Sequence, residues 1–317
     1  MKFHTHRFSY VMVLTCLSLI LCSCGGSSGN QPVPPANSSG NNNSPDTKGT
    51  RDNTPVVLSP SADAITCYFC EVSTIDASHS SDGYIMVNYT GTNEKVKLQI
   101  TGPDGVTYTY NLHGEYEVFP LTAGSGNYTI GVYENVSDNQ YATALSQDIA
   151  VEITNEFGPY LYPNQYVNFS STSLPVEKAK ELAFSANEDI EVVESVYNYI
   201  ITNFSYDYDK AANVQSGYLP VVDDIFRSNT GICFDYAAVM ATMLRTQNIP
   251  TRLEVGYMGE EYHAWISVYI ENVGWINGII QFDGSTWNLM DPTFASTSKS
   301  PQDFLSENSK YITKYVY

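Results

Sequence analysis

Basic residues are scarce in this sequence. Its 317 residues include 15 Lys and Arg against 34 Asp and Glu, which gives a formal net charge of −19. A chain this acidic repels phosphate backbones, and its few basic residues form no stripe. Nucleic-acid binding is therefore excluded from the functions we consider. We expect the charge to serve solubility outside the cell or an affinity for cationic material.

Long hydrophobic runs are also missing. The apolar run from Phe8 to Leu21 is too short to be read as a membrane span. It follows the basic residues Lys2 and Arg7 and leads into "LCSC". Residues 1–24 therefore resemble a bacterial lipoprotein signal, in which the chain is cut before Cys24 and that cysteine is lipidated. This interpretation predicts a lipid-anchored protein on the extracytoplasmic face of the cell membrane, and an ordinary secretory signal with incidental cysteines is the alternative.

Few cysteines remain outside that signal. Cys67 and Cys70 of "CYFC" could close a small disulfide if the chain turns there, but a fully extended strand would hold their Cα atoms about 10 Å apart. A zinc site would need a second pair of ligands at matching spacing, and no loop resembles an EF-hand, so we predict no metal and no cofactor. Cys233 is then left without a partner.

Composition divides the first half of the chain. Residues 25–56 consist of Gly, Ser, Asn and Pro with almost no apolar side chains, which predicts a disordered tether. Residues 57–155 alternate apolar or aromatic with polar residues, as in "KVKLQI" and "VTYTYNL", and turn strings such as "GPDG" separate the runs. We predict an all-β sandwich of the immunoglobulin-like type.

Residues 160–317 follow a different pattern, with helices first and strands after. Helical spacing predicts helices over Glu177–Phe184 and Asp189–Phe204, and a third over "GICFDYAAVMATMLRTQNIP" that begins at about Thr230 or Gly231. Period two then returns in "TRLEVGYM", "YHAWISVYI", "WINGIIQFDG" and "TWNLMDPTF", which predicts one antiparallel sheet. The chain is thus expected to be multidomain, a β-sandwich followed by an α+β domain.

The third helix places Cys233 in its first turn, where unpaired N–H groups and the helix dipole favour a thiolate. Gly231 would keep bulk away from the sulfur. His263 in "YHAW" is the only histidine of this domain and could act as the base, and Asp291 in "NLMDPTF" could orient the imidazole. Each residue alone has an ordinary explanation: a buried thiol, a hydrogen-bonded core histidine and a turn former before Pro292.

Three blocks, "GICFDYA", "YHAWISVY" and "WNLMDPTF", occur in this order. His263 follows Cys233 by 30 positions, and Asp291 follows His263 by 28. In this they resemble the signature blocks of the transglutaminase-like superfamily, over about residues 160–317. The resemblance implies a papain-like fold and a Cys-His-Asp triad at Cys233, His263 and Asp291. A second oxyanion donor beside the Cys233 N–H could come from Tyr206 or Gln215, for which plain loop packing is the alternative.

These residues predict a membrane-anchored thiol acyl-transfer enzyme that acts on amides of proteins or peptides. Hydrolysis, as in a cysteine protease or amidase, is favoured because water needs no second binding groove and the sequence reveals none. A protein-crosslinking transglutaminase is one alternative. The other is a non-catalytic cell-surface binding protein that uses this domain as a scaffold.

Overall fold

Two four-stranded antiparallel sheets form the part of the chain that precedes the helices. The computed structural model describes residues 47–258, 260–276, 280–282, 287–289 and 311–317, which belong to one compact unit, Ser44–Tyr317. The strands of this first region are β1 (Cys67–Phe69), β2 (Ser73–Asp76), β3 (Tyr84–Tyr89), β4 (Val96–Thr101), β5 (Thr107–Leu112), β6 (Glu117–Pro120), β7 (Gly126–Ser137) and β8 (Gln140–Val151). Their order is β1-β2-β3-β6 in one sheet and β5-β4-β7-β8 in the other.

The predicted period of two holds in these strands. In β4, Val96, Leu98 and Ile100 are buried while the residues between them are partly exposed. Tyr110 of β5 contacts Phe119 of β6 with ring centroids 4.8 Å apart, so the two sheets meet through aromatic side chains. The predicted β-sheet character of this region is confirmed. The immunoglobulin-like arrangement of the sandwich stays a prediction.

One central helix organises the second half of the chain. The helices are α1 (Leu174–Leu182), α2 (Asp189–Asn203), α3 (Tyr208–Asn213), α4 (Val222–Ser228) and α5 (Cys233–Arg245), with two short strands, β9 (Ser205–Tyr206) and β10 (Thr230–Gly231). Every residue of α5 from Asp235 to Arg245 is buried, because α1, α2 and α4 pack on it together with the following sheet. None of the helices that the structure describes is long and apolar enough to cross a membrane.

The following sheet has the order β13-β12-β11-β16, and all of its pairs are antiparallel. Its strands are β11 (Thr251–Met258), β12 (Glu261–Ile270), β13 (Gly274–Ile276) and β16 (Tyr311–Val316), while β14 (Ile280–Phe282) and β15 (Trp287–Leu289) form a separate pair. The prediction of one sheet is therefore wrong for "WINGIIQFDG", whose described residues divide between β13 and β14. It is also wrong for "TWNLMDPTF", whose described residues form β15 and pair with β14 alone. The free edge of β11 is filled instead by β16, whose pattern "YITKYV" was not recognised as a strand.

The predicted tether ends earlier than residue 56. The N–H of Gly49 donates to the Phe184 carbonyl at 2.9 Å, and the N–H of Val56 donates to the Thr246 carbonyl at 2.8 Å. Arg51 forms an ion pair with Asp189 at 2.6 Å. The prediction is thus wrong for the last residues of 25–56, because this stretch is held by hydrogen bonds and an ion pair rather than by the apolar burial that its composition lacks.

Candidate active site

Cys233 occupies the first position of α5. Ile232 before it has an extended backbone and caps the helix. The first helical hydrogen bond runs from the Tyr236 N–H to the Ile232 carbonyl at 3.0 Å, so the N–H groups of residues 233–235 precede the helical ladder. The thiol therefore lies at the positive end of the helix dipole, as predicted, although the helix begins two or three residues later than the sequence suggested.

The strand that leads into α5 is paired with the segment that carries Tyr206. β9 and β10 run parallel, with Gly231 opposite Tyr206. The Ser205 N–H donates to the Asn229 carbonyl and the Asp207 N–H donates to the Gly231 carbonyl, each at 2.9 Å. This short pairing holds one predicted oxyanion candidate beside the approach to Cys233.

His263 enters the site from the central sheet. It lies on β12 opposite Gly256 of β11, and only 6% of its surface is exposed. Its ring is stacked on Trp265, with centroids 6.5 Å apart and planes inclined by 26°. Both rings are on the same face of the strand, as the spacing of two residues predicts. The stacked indole limits the orientations that the imidazole can adopt.

Cys233 and His263 line one cavity of about 470 Å³. The predicted oxyanion candidates Tyr206 and Gln215 line it as well. The Gln215 side-chain amide donates to the Asn213 carbonyl at 2.7 Å, so one hydrogen of its NH₂ group is engaged within its own turn. Asp291 and the predicted lipidation residue Cys24 lie outside the described residues. The cavity thus brings together four of the predicted site residues, and their chemical roles stay predictions.

The cavity wall is mainly aromatic. The contributing rings, besides Tyr206, belong to Tyr166, Tyr218, Phe234, Tyr262 and Tyr317. Burial raises the pKa of Tyr166 to about 12 and also raises that of Tyr262, so these phenols are neutral hydroxyls at neutral pH. Such a wall suits an uncharged or aromatic portion of a substrate. The described part of the chain contains no cluster of three or more His, Cys, Asp or Glu that could bind a metal.

One buried charged group in the first turn of α5 was missed at the level of sequence. Asp235 is fully buried in the first turn of α5. Its carboxylate accepts hydrogen bonds from the Ile232 N–H at 2.9 Å, from Lys210 Nζ at 2.6 Å and from the Tyr218 hydroxyl at 2.6 Å. The only available signal was an acidic residue in a first helical turn, which the helix dipole alone explains.

A family model for the transglutaminase-like superfamily matches residues 177–278. This segment runs from α1 to just beyond β13, and it includes both Cys233 and His263. The chain contains a transglutaminase-like domain. The resemblance that the three sequence blocks suggested is confirmed for this segment, and Asp291 lies beyond the matched residues.

The chain has relatives of low identity in other organisms. The chain is 24% identical to uncharacterized protein YebA of Bacillus subtilis, over 58% of this chain and 25% of that one. It is 27% identical to UPF0252 protein MJ1282 of Methanocaldococcus jannaschii, over 32% of this chain and 33% of that one. The chain thus spans a quarter to a third of the length of these relatives.

Solved structures with local likeness include a candidate cysteine protease from Cytophaga hutchinsonii, at 16% identity and a TM-score of 0.34, covering 72% of this chain and 69% of that one. Red sea bream transglutaminase is 13% identical with a TM-score of 0.27, over 68% of this chain and 48% of the other.

Proposed function

We propose that this protein is a cysteine-dependent acyl-transfer enzyme that hydrolyses amide bonds in proteins or peptides. The observation that carries this proposal is the common cavity of Cys233 and His263. The thiol comes from the positive end of a buried helix and the imidazole from a buried position on the neighbouring strand. These are the two groups that a thiol nucleophile and its proton acceptor require.

The reaction proceeds through a thioester. The Cys233 sulfur, after transferring its proton to His263, adds to the amide carbonyl carbon. The C–N bond breaks, and the His263 imidazolium gives its proton to the departing amine. Water then attacks the thioester carbonyl, His263 takes one proton from that water, and the acid product leaves as the thiol is restored.

Three further groups have proposed roles. Asp291 orients the imidazole and stabilises the imidazolium, as the sequence blocks imply. The N–H of Cys233, which precedes the helical ladder, supplies one hydrogen bond to the developing oxyanion. Tyr206 or Gln215, which both line the cavity with Cys233, supplies the second.

Crosslinking by transglutamination is the second candidate, and one observation favours it. A second, more open cavity of about 490 Å³ adjoins the first, and residues 214–218 line both. An amine in that cavity could reach the thioester in place of water, which would transfer the acyl group to the amine. Hydrolysis stays the first proposal because it needs only water at the same carbonyl.

We place the enzyme at the extracytoplasmic face of the cell membrane, anchored by lipid on Cys24. The support is the "LCSC" string that follows a short apolar run. Mass spectrometry of the protein from a bacterial membrane fraction tests this point, since lipidation adds diacylglycerol mass to Cys24. A mature chain that begins elsewhere and carries no lipid would contradict it.

Thiol labelling tests whether Cys233 is a nucleophile. We expect iodoacetamide to modify Cys233 faster than Cys67 at neutral pH, because burial beside Asp76 raises the pKa of the Cys67 thiol. His263→Ala should slow labelling of Cys233 and leave Cys67 unchanged. If Cys233 is labelled no faster than Cys67, or if His263→Ala leaves its labelling rate unchanged, a non-catalytic binding protein would be favoured.

Product analysis then separates hydrolysis from crosslinking. Casein would be incubated with the full chain or with Cys233→Ala, in the presence and absence of a dansylated primary amine. New chain termini that require Cys233 indicate hydrolysis, and incorporation of the amine with loss of ammonia indicates transfer. Amine incorporation without new termini would overturn the preference for hydrolysis.

A further inference from the structure

A partly buried ion pair is attached to the first turn of the helix that carries the proposed nucleophile. Asp235 follows Cys233 by two residues in the same helical turn, and its side chain is fully buried. The Lys210 ammonium lies 2.6 Å from one carboxylate oxygen, and the Tyr218 hydroxyl donates to the other at 2.6 Å. The ammonium also donates to the Tyr218 hydroxyl at 2.7 Å, so the three side chains close a ring of hydrogen bonds.

The charge of Asp235 matters for the thiol. A lone carboxylate in the first turn would oppose formation of a thiolate at Cys233 through like-charge repulsion. The Lys210 ammonium balances that charge at hydrogen-bond distance. The two side chains together therefore add no net charge to the turn in which the helix dipole acts on the sulfur.

The same carboxylate also fixes one wall of the cavity. Lys210 and Tyr218 flank a short segment whose residues 211 and 214–217 line the cavity with Cys233. Both flanking side chains bind Asp235, so the two ends of this wall are attached to the first turn of α5. At Gly217, with φ +85°, a Cβ would lie 2.4 Å from Asn111 Nδ2, which shows that the wall also passes close to β5.

We propose that Asp235, Lys210 and Tyr218 are positioning residues for the reaction of Cys233. The Lys210–Asp235 pair keeps the surroundings of the sulfur neutral, and the Asp235–Tyr218 hydrogen bond holds the cavity wall in register with the thiol. The inference rests on the proposed function of Cys233, and it assigns to these three residues no direct contact with substrate.

The charge prediction has opposite signs for the two partners. Lys210→Met leaves the carboxylate unbalanced and should raise the midpoint pH of Cys233 alkylation. Asp235→Asn leaves the ammonium unbalanced and should lower that midpoint. Each shift should be about one pH unit, the order expected for one unit charge added near a partly buried group. The double variant removes both charges and should return towards the wild-type midpoint.

The measurement uses the full chain and iodoacetamide, with labelling rates read at Cys233 by peptide mass spectrometry between pH 5 and 9. Within the described part of the chain, the other titratable groups that line the cavity are His263 and the phenols of Tyr166, Tyr206, Tyr218, Tyr262 and Tyr317. The series is therefore repeated with His263→Ala, which removes the histidine from the profile. Lys180→Met and Asp224→Asn, which alter surface pairs elsewhere, are the matched controls.

Opposite shifts with recovery in the double variant support the proposal, because loss of folding alone cannot move the midpoint in two directions. Shifts of the same sign, or none beyond those of the controls, would overturn it. If Asp235→Asn does not fold, Lys210→Arg decides: it should keep the wild-type midpoint while Lys210→Met raises it. Since the readout is the thiol itself, absent turnover of casein would contradict the proposed function without touching this result.

The wall has its own readout. Tyr218→Phe removes the hydrogen bond to Asp235 but no charge, so the midpoint with iodoacetamide should stay unchanged. N-benzyl-2-chloroacetamide, whose ring can enter the aromatic cavity, should label Cys233 with saturation. Its half-saturating concentration should rise several-fold in Tyr218→Phe. An unchanged half-saturating concentration would remove Tyr218 from the positioning residues.

Discussion

Gly231 and Asp235 are packed so closely that only glycine fits at position 231. A Cβ added at Gly231 would lie 2.6 Å from the Asp235 Cβ and 2.8 Å from its Oδ2. The glycine of "GIC" therefore makes room for the buried carboxylate, whereas the sequence suggested that it keeps the approach to the sulfur open. The buried Asp235 side chain by itself accounts for the requirement for glycine at position 231.

Gly231→Ala should therefore displace the start of α5. We expect a loss of about 1–3 kcal/mol in the free energy of unfolding, as for other overpacked sites, and slower alkylation of Cys233. Gly49→Ala is the matched control, because its Cβ would lie 2.0 Å from the Ala186 carbonyl oxygen, on the docked N-terminal segment. That variant should lose stability and keep the alkylation rate. Equal effects of both variants on alkylation would contradict the explanation.

Arg245 connects the far end of α5 to three other segments. Its guanidinium is buried and donates to the carbonyls of Thr251, Tyr162 and Tyr317 at 2.7–3.0 Å. Burial lowers the pKa of Arg245 to about 9, so the group is still charged at neutral pH. The hydrogen bonds hold the start of β11 and residue 317 against the helix.

Arg245→Met keeps the volume of the side chain but leaves these carbonyls without their donor. We expect a loss of about 3 kcal/mol or more in the free energy of unfolding, measured by urea denaturation. Arg227→Met removes an exposed pair with Asp224 and should change stability by less than about 1 kcal/mol. A loss at Arg245 as small as that of the control would show that water replaces the guanidinium.

Local patterns in the sequence predicted more of the fold than of the candidate site. The apolar run of α5 and the alternation of β4 are periodic within one element, so both were predictable. The pairing of β16 with β11 joins segments more than 50 residues apart, and no local pattern specifies it. Strand partners depend on which sheet edge remains open, and that is decided only in the folded chain.

The same limit applies to the candidate site. Cys233 and His263 stand in recognisable blocks, whereas Asp235 acquires its role from Lys210, which lies 25 residues earlier. An acidic residue in a first helical turn is common, and only the folded chain brings a lysine and a tyrosine to it. The docking of residues 49–56 was missed for a similar reason, since its partners on the helices are 127 or more residues away.

Arg51 should account for much of that docking. Its side chain is 13% exposed, pairs with Asp189 and donates to the Gln247 side-chain oxygen at 3.2 Å. Arg51→Ala should release this segment and lower the free energy of unfolding by about 1–2 kcal/mol. Limited thermolysin digestion, read by mass spectrometry, should then cut next to Val56 sooner than in wild type. If cleavage is no faster than in the surface control Arg227→Ala, the backbone hydrogen bonds of residues 49–56 are enough to hold this segment in place.

His79 makes the stability of the first β region depend on pH. Its Nδ1 lies 2.9 Å from Asp82 and its Nε2 lies 3.0 Å from Asp63, and these hydrogen bonds raise the pKa of His79 although partial burial opposes them. Because the folded-state pKa exceeds the ordinary value of about 6.5, the stabilisation is complete below that pH and is lost as the pH rises through the folded-state pKa.

His79→Gln should therefore lower the melting temperature more at pH 5 than at pH 9, relative to wild type at each pH. His113→Gln, at a more exposed histidine that pairs with Glu117, is the control and should show a smaller difference. If His79→Gln lowers the melting temperature equally at pH 5 and pH 9, or more at pH 9, the charged imidazole does not hold residues 61–63 against this turn.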